Sequence, residues 1–277
     1  MLIPRFWAKT NGSATDASGK QFAFQLWGWS QESVADALGA AQRRLRDVAA
    51  RVTKGEVGNE YFYGKQPLRE EIIRTIGEPG ERSESIVTRN RYGALVLNTA
   101  QLPFIDVDSP PSTAASWLTR LFKKEQTDPT LDRIREACRL HGRSTFRIYR
   151  TRAGYRVLAT DLSLDPKSQS TQDFLSGFAA DPSFMKLCRI QGSFRARLTP
   201  KPWRCDCPLP PSQHPREDAT SQAGFAEWLR KYEVASAPFA TCKFVESIGS
   251  SRPSSETRAL VEEHDRVSRA ESDLPLA

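Results

Sequence analysis

Apolar and polar residues alternate over 20–28, KQFAFQLWG, where Phe22, Phe24 and Leu26 interleave with Gln21, Ala23 and Gln25; the period of two predicts a half-buried strand. The period then lengthens. Val34, Leu38, Ala41, Leu45, Val48 and Val52 recur at helical spacing, Arg43, Arg44, Arg46 and Asp47 supply a wet side, and Ser30 is the expected cap of a helix over 31–52. GNEYFYGK at 58–65 reads as a short strand or aromatic loop, and Pro67 is placed to open a helix with Leu68, Ile72 and Ile76 as its stripe before Gly77. RYGALVLN at 91–98 and FIDVD at 104–108 read as strands, the second bounded by Pro103 and Pro110-Pro111.

Residues 112–127 carry Trp117, Leu118, Leu121 and Phe122 before Lys123-Lys124, the pattern of a short amphipathic helix, and Asp128-Pro129 opens a firmer one with Leu131, Ile134 and Cys138, ending near Gly142. FRIYRTRAGYRVLAT, 146–160, predicts two antiparallel strands around Ala153-Gly154. Helical stretches over 171–188, interrupted at Asp181-Pro182, lead to an extended segment at 193–204 and a Pro-rich surface loop at 205–222. A helix around Phe225, Trp228, Leu229 and Tyr232, a strand at 242–248 and helical spacing at Leu260, Val261 and His264 complete the chain. Mixed elements without repeats favour an α+β fold over an all-helical bundle. The expected organisation is an N-terminal α+β portion at 1–89, a core at 90–204, the loop at 205–222 and a C-terminal α/β extension at 223–277 packed on the core.

A chain of 277 residues buries enough surface to fold without disulfides or a structural metal. Its five cysteines, an odd number at irregular spacing, argue against a secreted disulfide scaffold. Cys205 and Cys207, with His214 nearby, read as loop cysteines more readily than as a zinc site, because a second close thiol pair is missing. The start, MLIPRFWAKTNGSATD, lacks a charged region followed by an apolar stretch of about 7 to 15 residues, and no run of 18 apolar residues occurs, so neither a signal peptide nor a membrane span is expected, and the cytoplasm is the expected compartment. The formal charge of +7 suits an anionic partner and also serves solubility.

Asp106 and Asp108 are the sharpest chemical signal. At spacing i, i+2 on a strand, both carboxylates face one side while Ile105 and Val107 anchor the other; two such neighbours repel unless protonated or neutralised, which a Mg²⁺ or Mn²⁺ ion would do, although a solvated strand end has the same pattern. Two stretches without acidic residues each hold six bases: Arg139, Arg143, Arg147, Arg150, Arg152 and Arg156, then Lys186, Arg189, Arg195, Arg197, Lys201 and Arg204. Arg150, Arg152 and Arg156 bracket the hairpin turn and are candidate phosphate ligands, while Arg195, Arg197, Lys201 and Arg204 are candidate contacts to a nucleic-acid backbone. Trp203 can stack a base or pack against apolar surface, and Tyr149 and Tyr155 have the same alternatives.

PFIDVDSP, YRTRAGYRVLAT and CRIQGSFRARLTPK together resemble the catalytic module of the archaeo-eukaryotic primase-polymerase superfamily, over about residues 90–205. The resemblance implies an RRM-like α+β core in which Asp106 and Asp108 are the catalytic metal ligands, and in which the hairpin with Thr151, Arg152, Gly154 and Arg156 contacts nucleotide phosphate. Arg156 stands nearest the histidine common in that segment, and Asp161 or Asp206 is available as a third acid. The resulting expectation is metal-dependent nucleotidyl transfer with Mg²⁺ or Mn²⁺, nucleic acid and a nucleoside triphosphate as partners. Two alternatives stay open: a non-catalytic DNA- or RNA-binding protein, and another metal-dependent nucleotide or sugar-nucleotide enzyme.

Overall fold

A computed structural model describes residues 1–56, 67–77, 84–110 and 128–277. The aromatic segment expected at 58–65 and the amphipathic helix expected at 112–127 lie outside them. The fold is α+β, with antiparallel sheets and six α-helices among the described residues. None of these helices is long and apolar enough to cross a membrane. Leu2–Glu71 form one compact unit; Ile72–Ala277, together with Met1, form the other.

In the smaller unit β1 (Phe6–Thr15) and β2 (Gln21–Ser30) make a hairpin, in register from Phe6 opposite Ser30 to Thr15 opposite Gln21. Its turn is closed by the Asp16 carboxylate, which accepts from the backbone N–H groups of Ser18 at 2.9 Å and Lys20 at 3.0 Å. The strand expected at 20–28 is present. Its partner β1 has no signature in the sequence, because FWAKTNGSAT is too polar and too rich in small residues to show an apolar alternation.

Helix α1 (Val34–Thr53) is capped by Ser33, whose hydroxyl accepts from Asp36 N at 3.0 Å. Ser30, the expected cap, is instead the last residue of β2, held extended by its pairing with Phe6. The helix rests on the hairpin through small residues: Ala37 and Ala41 are fully buried, and a Cβ on Gly28 would stand 2.2 Å from both Ala37 O and Ala41 N. Only glycine permits that approach.

The larger unit holds two four-stranded sheets. One runs β3 (Glu71–Ile76), β4 (Ser85–Arg89), β5 (Leu95–Thr99), β9 (Phe194–Arg197). The other runs β10 (Cys242–Ile248), β7 (Phe146–Thr151), β8 (Gly154–Ala159), β6 (Phe104–Asp108). The helix expected after Pro67 is therefore corrected to β3: Ile72, Ile73, Thr75 and Ile76 are β-branched, and a neighbouring strand favours them over a helix stripe. Because β3 and β4 belong to this sheet, the compact units part at residue 71, ahead of the division expected at 89.

Helix α2 (Pro129–Leu140) is capped by Asp128, α3 (Gln169–Gly177) by Ser168 and α4 (Pro182–Gln191) by Asp181; α5 (Ala219–Ser236) is capped by Asp218 and α6 (Ser255–Ser268) by Ser254. One core joins Ile105, Val107, Ile148 and Val157 of the second sheet to Ile134 and Cys138 of α2, Leu175 of α3, and Leu260 and Val261 of α6. The C-terminal residues are thus built into the core, and β10 completes its sheet. The expected surface loop after 204 is anchored in part: Cys205 and Cys207 are buried against Phe225, Trp228 and Tyr232 of α5.

The close seat of α1 on β2 makes its energetics testable. Gly28→Ala destabilises the chain by about 2 kcal/mol or more, since backbone atoms must move, whereas Gly39→Ala, which meets nothing nearer than the Arg43 guanidinium at 3.4 Å, stabilises α1 by about 1 kcal/mol. Urea midpoints followed by circular dichroism read both; equal midpoints for the two variants would refute the seat.

Candidate functional site

Asp106 and Asp108 alternate along β6 and share one face, while Ile105 and Val107 are buried on the other. Strand β8 lies beside them, with Asp106 opposite Arg156 and Asp108 opposite Gly154. The register therefore brings Asp106, Asp108 and Arg156 to one face.

Arg156 is the pivot. Its side chain is 3% exposed; Nε donates to Asp106 Oδ1 at 2.8 Å, Nη2 to Asp106 Oδ2 at 3.2 Å, and Nη1 to the carbonyl of Arg197 at 2.9 Å. Nη1 also lies 3.4 Å from His264 Nε2. A guanidinium can only donate, so this contact leaves the imidazole proton on Nδ1, 2.8 Å from Asp265 Oδ1. Burial works against the Arg156 charge, but the Asp106 carboxylate, by its field and its hydrogen bonds, outweighs burial and holds the guanidinium above its ordinary value.

Asp108 is exposed and has no ion pair among the described residues. Partial burial, then repulsion from Asp181 and Asp106, push its carboxyl above the usual range, while Lys201 and Arg204 pull it back. Asp181 is a member of this acidic group that sequence reasoning missed. It caps α4 by accepting from Phe184 N at 2.8 Å, and its own N–H donates to the Asp106 carbonyl at 3.0 Å, which ties the helix start to β6. The signal is Asp181-Pro182, a helix-start signature that also interrupts the helical stretch over 171–188. His264 falls on the stripe of Leu260 and Val261, so spacing alone does not single it out.

Cations crowd the same place. Burial, then Arg156 and Arg204, bring Arg197 down to about 10; burial, then Arg197 and Arg204, lower Lys201; burial, then Arg152, lower Arg204. Lys201 and Arg204 are supported in their charged forms by Asp108. Arg197, Lys201 and Arg204, each disfavoured by at least one cationic neighbour and set beside an unpaired carboxylate, form a site that an anion would stabilise.

Other expected residues are elsewhere. Arg150 lies opposite Tyr155, one position out of phase with Arg156, and its guanidinium bonds Asp128 at 2.7 Å; it belongs to the opposite face and helps fix the cap of α2. Arg195 is 7% exposed and donates to the Asn98 side chain, so it is not presented to a macromolecule. Arg152 is exposed at the hairpin turn and donates to Leu276 O at 3.2 Å. Asp161 accepts from Thr145 N at 2.9 Å and lines a separate cleft of about 800 Å³ with Lys167, Arg252 and Glu256; this cleft contains neither Asp106 nor Asp108. Asp206 is exposed on its loop at φ 53°.

Among the described residues no three His, Cys, Asp or Glu side chains are grouped to hold a metal by themselves. Mg²⁺ commonly takes one or two carboxylates and completes its shell with water and substrate phosphate, so the Asp106–Asp108 pair suits it when a phosphate is also present. Asp106 Oδ1 and Oδ2 each accept from Arg156 and each retain a further lone pair.

The Asp108 environment sets a pH dependence. Its proton is held more tightly in the folded chain than in the unfolded one, so Asp108 lowers stability as pH rises from the ordinary carboxylate value through the raised folded one. Asp108→Asn is therefore more stable than the parent at pH 7, and the gap closes below the ordinary carboxylate range. Arg156→Met, by contrast, loses about 3 kcal/mol, because Asp106 and the Arg197 carbonyl lose a charged partner. Urea titrations at several pH values measure both; a pH-independent Asp108→Asn gap would contradict the electrostatics described.

No protein-family model matches the chain, and neither a curated protein nor a solved structure matches it.

Proposed function

We propose that the chain carries out metal-dependent nucleotidyl transfer on nucleic acid, in the manner of primase-polymerases, with a nucleoside triphosphate bound at the Asp106–Asp108 face. The observation that carries this reading is the unpaired Asp108 carboxylate set beside Asp106 on one strand face and opposed by Lys201 and Arg204. Acids alone suggest a cation and bases alone an anion; both together suit a metal–polyphosphate complex.

Asp106 and Asp108 would hold Mg²⁺ or Mn²⁺, which when bound neutralises phosphate charge and favours ionisation of an attacking hydroxyl. Lys201, Arg204 and Arg197 bind the phosphates, with Arg152 at the exposed hairpin turn able to reach a longer anionic chain. Arg156 keeps the Asp106 carboxylate in one orientation by gripping both oxygens, so that the acid need not be reordered when ligand arrives. In the sequence it stands nearest the histidine common in that segment of the family the chain resembles.

A second reading has its own support. The same two-point contact between Arg156 and Asp106 already neutralises one acid, which favours a non-catalytic protein that holds nucleic acid through Arg152, Lys201 and Arg204.

The two are separated by incubating the full chain with primed and unprimed templates, four nucleoside triphosphates and either metal. Mn²⁺- or Mg²⁺-dependent extension or priming, lost in folded Asp106→Asn and Asp108→Asn, is the expected result. Salt-sensitive binding of nucleic acid with every reaction silent selects the second reading. Lys201→Ala and Arg204→Ala weaken binding uniformly across base sequences in either case, each reducing the salt slope by roughly one unit.

A further inference from the structure

Trp203 is the most exposed Trp, Tyr or Phe ring among the described residues of the larger unit. Trp228 is buried, stacks on Tyr232 and donates Nε1 to Pro208 O at 2.8 Å, whereas Trp203 keeps 49% of its surface in solvent. It lies on a 3₁₀ turn (Pro202–Arg204) between Lys201 and Arg204, the two cations coupled to Asp108. Lys201 Nζ is 5.4 Å from the centre of its ring.

The support around it is rigid. Pro202 is buried, and its carbonyl accepts from Cys205 N and Cys207 N, both at 3.0 Å. Tyr92 meets the indole edge-on, with centroids 5.2 Å apart and planes at 85°. Tyr92 in turn sits in the β4–β5 turn, where the Asn90 side chain accepts from Tyr92 N at 3.0 Å and Ala94 N at 3.1 Å. Gly93 at φ 85° packs so tightly that a Cβ there would lie 2.1 Å from the Trp228 ring. An indole held by an edge contact, with its surroundings fixed from two separate turns, needs little ordering to receive a flat ligand.

We infer that the Trp203–Tyr92 pair is the base platform of the site, stacking the nucleobase of a nucleoside triphosphate whose phosphates lie at Lys201 and Arg204. The inference rests on the phosphate reading of the site proposed above and adds the part of the substrate that phosphate contacts ignore. Stacking uses the π-face that every base has, so the platform holds the base without choosing among the four. No base-edge donor or acceptor is required of it.

The test titrates the full chain in Mg²⁺ with ATP, with CTP, with inorganic tripolyphosphate, which has no base, and with a single-stranded oligonucleotide. Binding is read by calorimetry and by indole fluorescence. Trp203→Ala weakens ATP and CTP by about tenfold and leaves tripolyphosphate unchanged, Trp203→Phe restores part of the loss, and ATP quenches a component of fluorescence that Trp203→Phe lacks. Circular dichroism confirms that both variants fold. If ATP and tripolyphosphate bind equally through Lys201 and Arg204, with no dependence on Trp203, the platform is refuted while the phosphate site stands. If neither ligand binds, or neither depends on Lys201 and Arg204, the phosphate reading fails and the platform with it. A loss confined to the oligonucleotide, with ATP unchanged, would overturn the assignment to a triphosphate.

Discussion

The buried guanidinium of Arg156 is the constraint around which the larger unit is organised. A charge with 3% of its side chain exposed is tolerated only when it is paired and hydrogen-bonded, and Arg156 draws its partners from three elements: Asp106 on β6, the Arg197 carbonyl on β9 and His264 on α6. The two sheets and the C-terminal helix are thereby fixed relative to one another at the point where Asp106 reaches solvent. His264 is oriented by Asp265, which also bonds Arg147 at 2.7 Å, so the polar chain runs from the acidic face through buried His264 to the partly exposed Arg147. The same contacts that stabilise the fold give the Asp106 carboxylate a single direction.

Neutralising Asp106 leaves Asp108 as the uncompensated acid. Asp181, brought in at the start of α4, raises the local negative charge, and Lys201 and Arg204 answer it only in part. Close by, Arg204 disfavours the charge of Arg197, Arg152 disfavours that of Arg204, and burial penalises both. Acidic and basic groups that fail to cancel within one cluster are costly to keep in an empty protein and useful in one that binds a charged ligand. That imbalance, more than the number of arginines, marks the site.

Trp203 and the proposed phosphate contacts share one short stretch of chain. Residues 197–204 turn from strand to a proline-braced 3₁₀ turn, so that Arg197, Lys201, Trp203 and Arg204 fall within eight positions. Tyr232 fixes the stretch from beneath by donating to the Pro200 carbonyl at 2.6 Å. Buried Cys205 and Cys207 hold the chain beyond it against α5, which explains why a Pro-rich segment keeps its shape here.

Much of this was legible in the residues. The alternation in FIDVD placed both aspartates on one face, the Ala153-Gly154 hairpin was evident, and Asp128-Pro129 announced its helix, because each of these depends on neighbours within a few positions. The α+β class followed from the same local periods. What local pattern does not carry is partnership between distant segments. Glu71–Ile76 became a strand because the β4 edge was there to receive it, β1 acquired its structure from pairing with β2, and Arg150 and Arg156, equivalent as basic residues of one hairpin, were sent to opposite faces by the strand period. Arg195 was claimed by Asn98 across the sheet. Asp181 and His264 lie 75 and more residues from Asp106 in sequence, so only folding brings their charge and hydrogen bonds to it. The sequence by itself determined which side chains were available and which way each strand would turn them; the tertiary structure decided which charges meet, because electrostatic pairing depends on distance in space and a sequence records only distance along the chain.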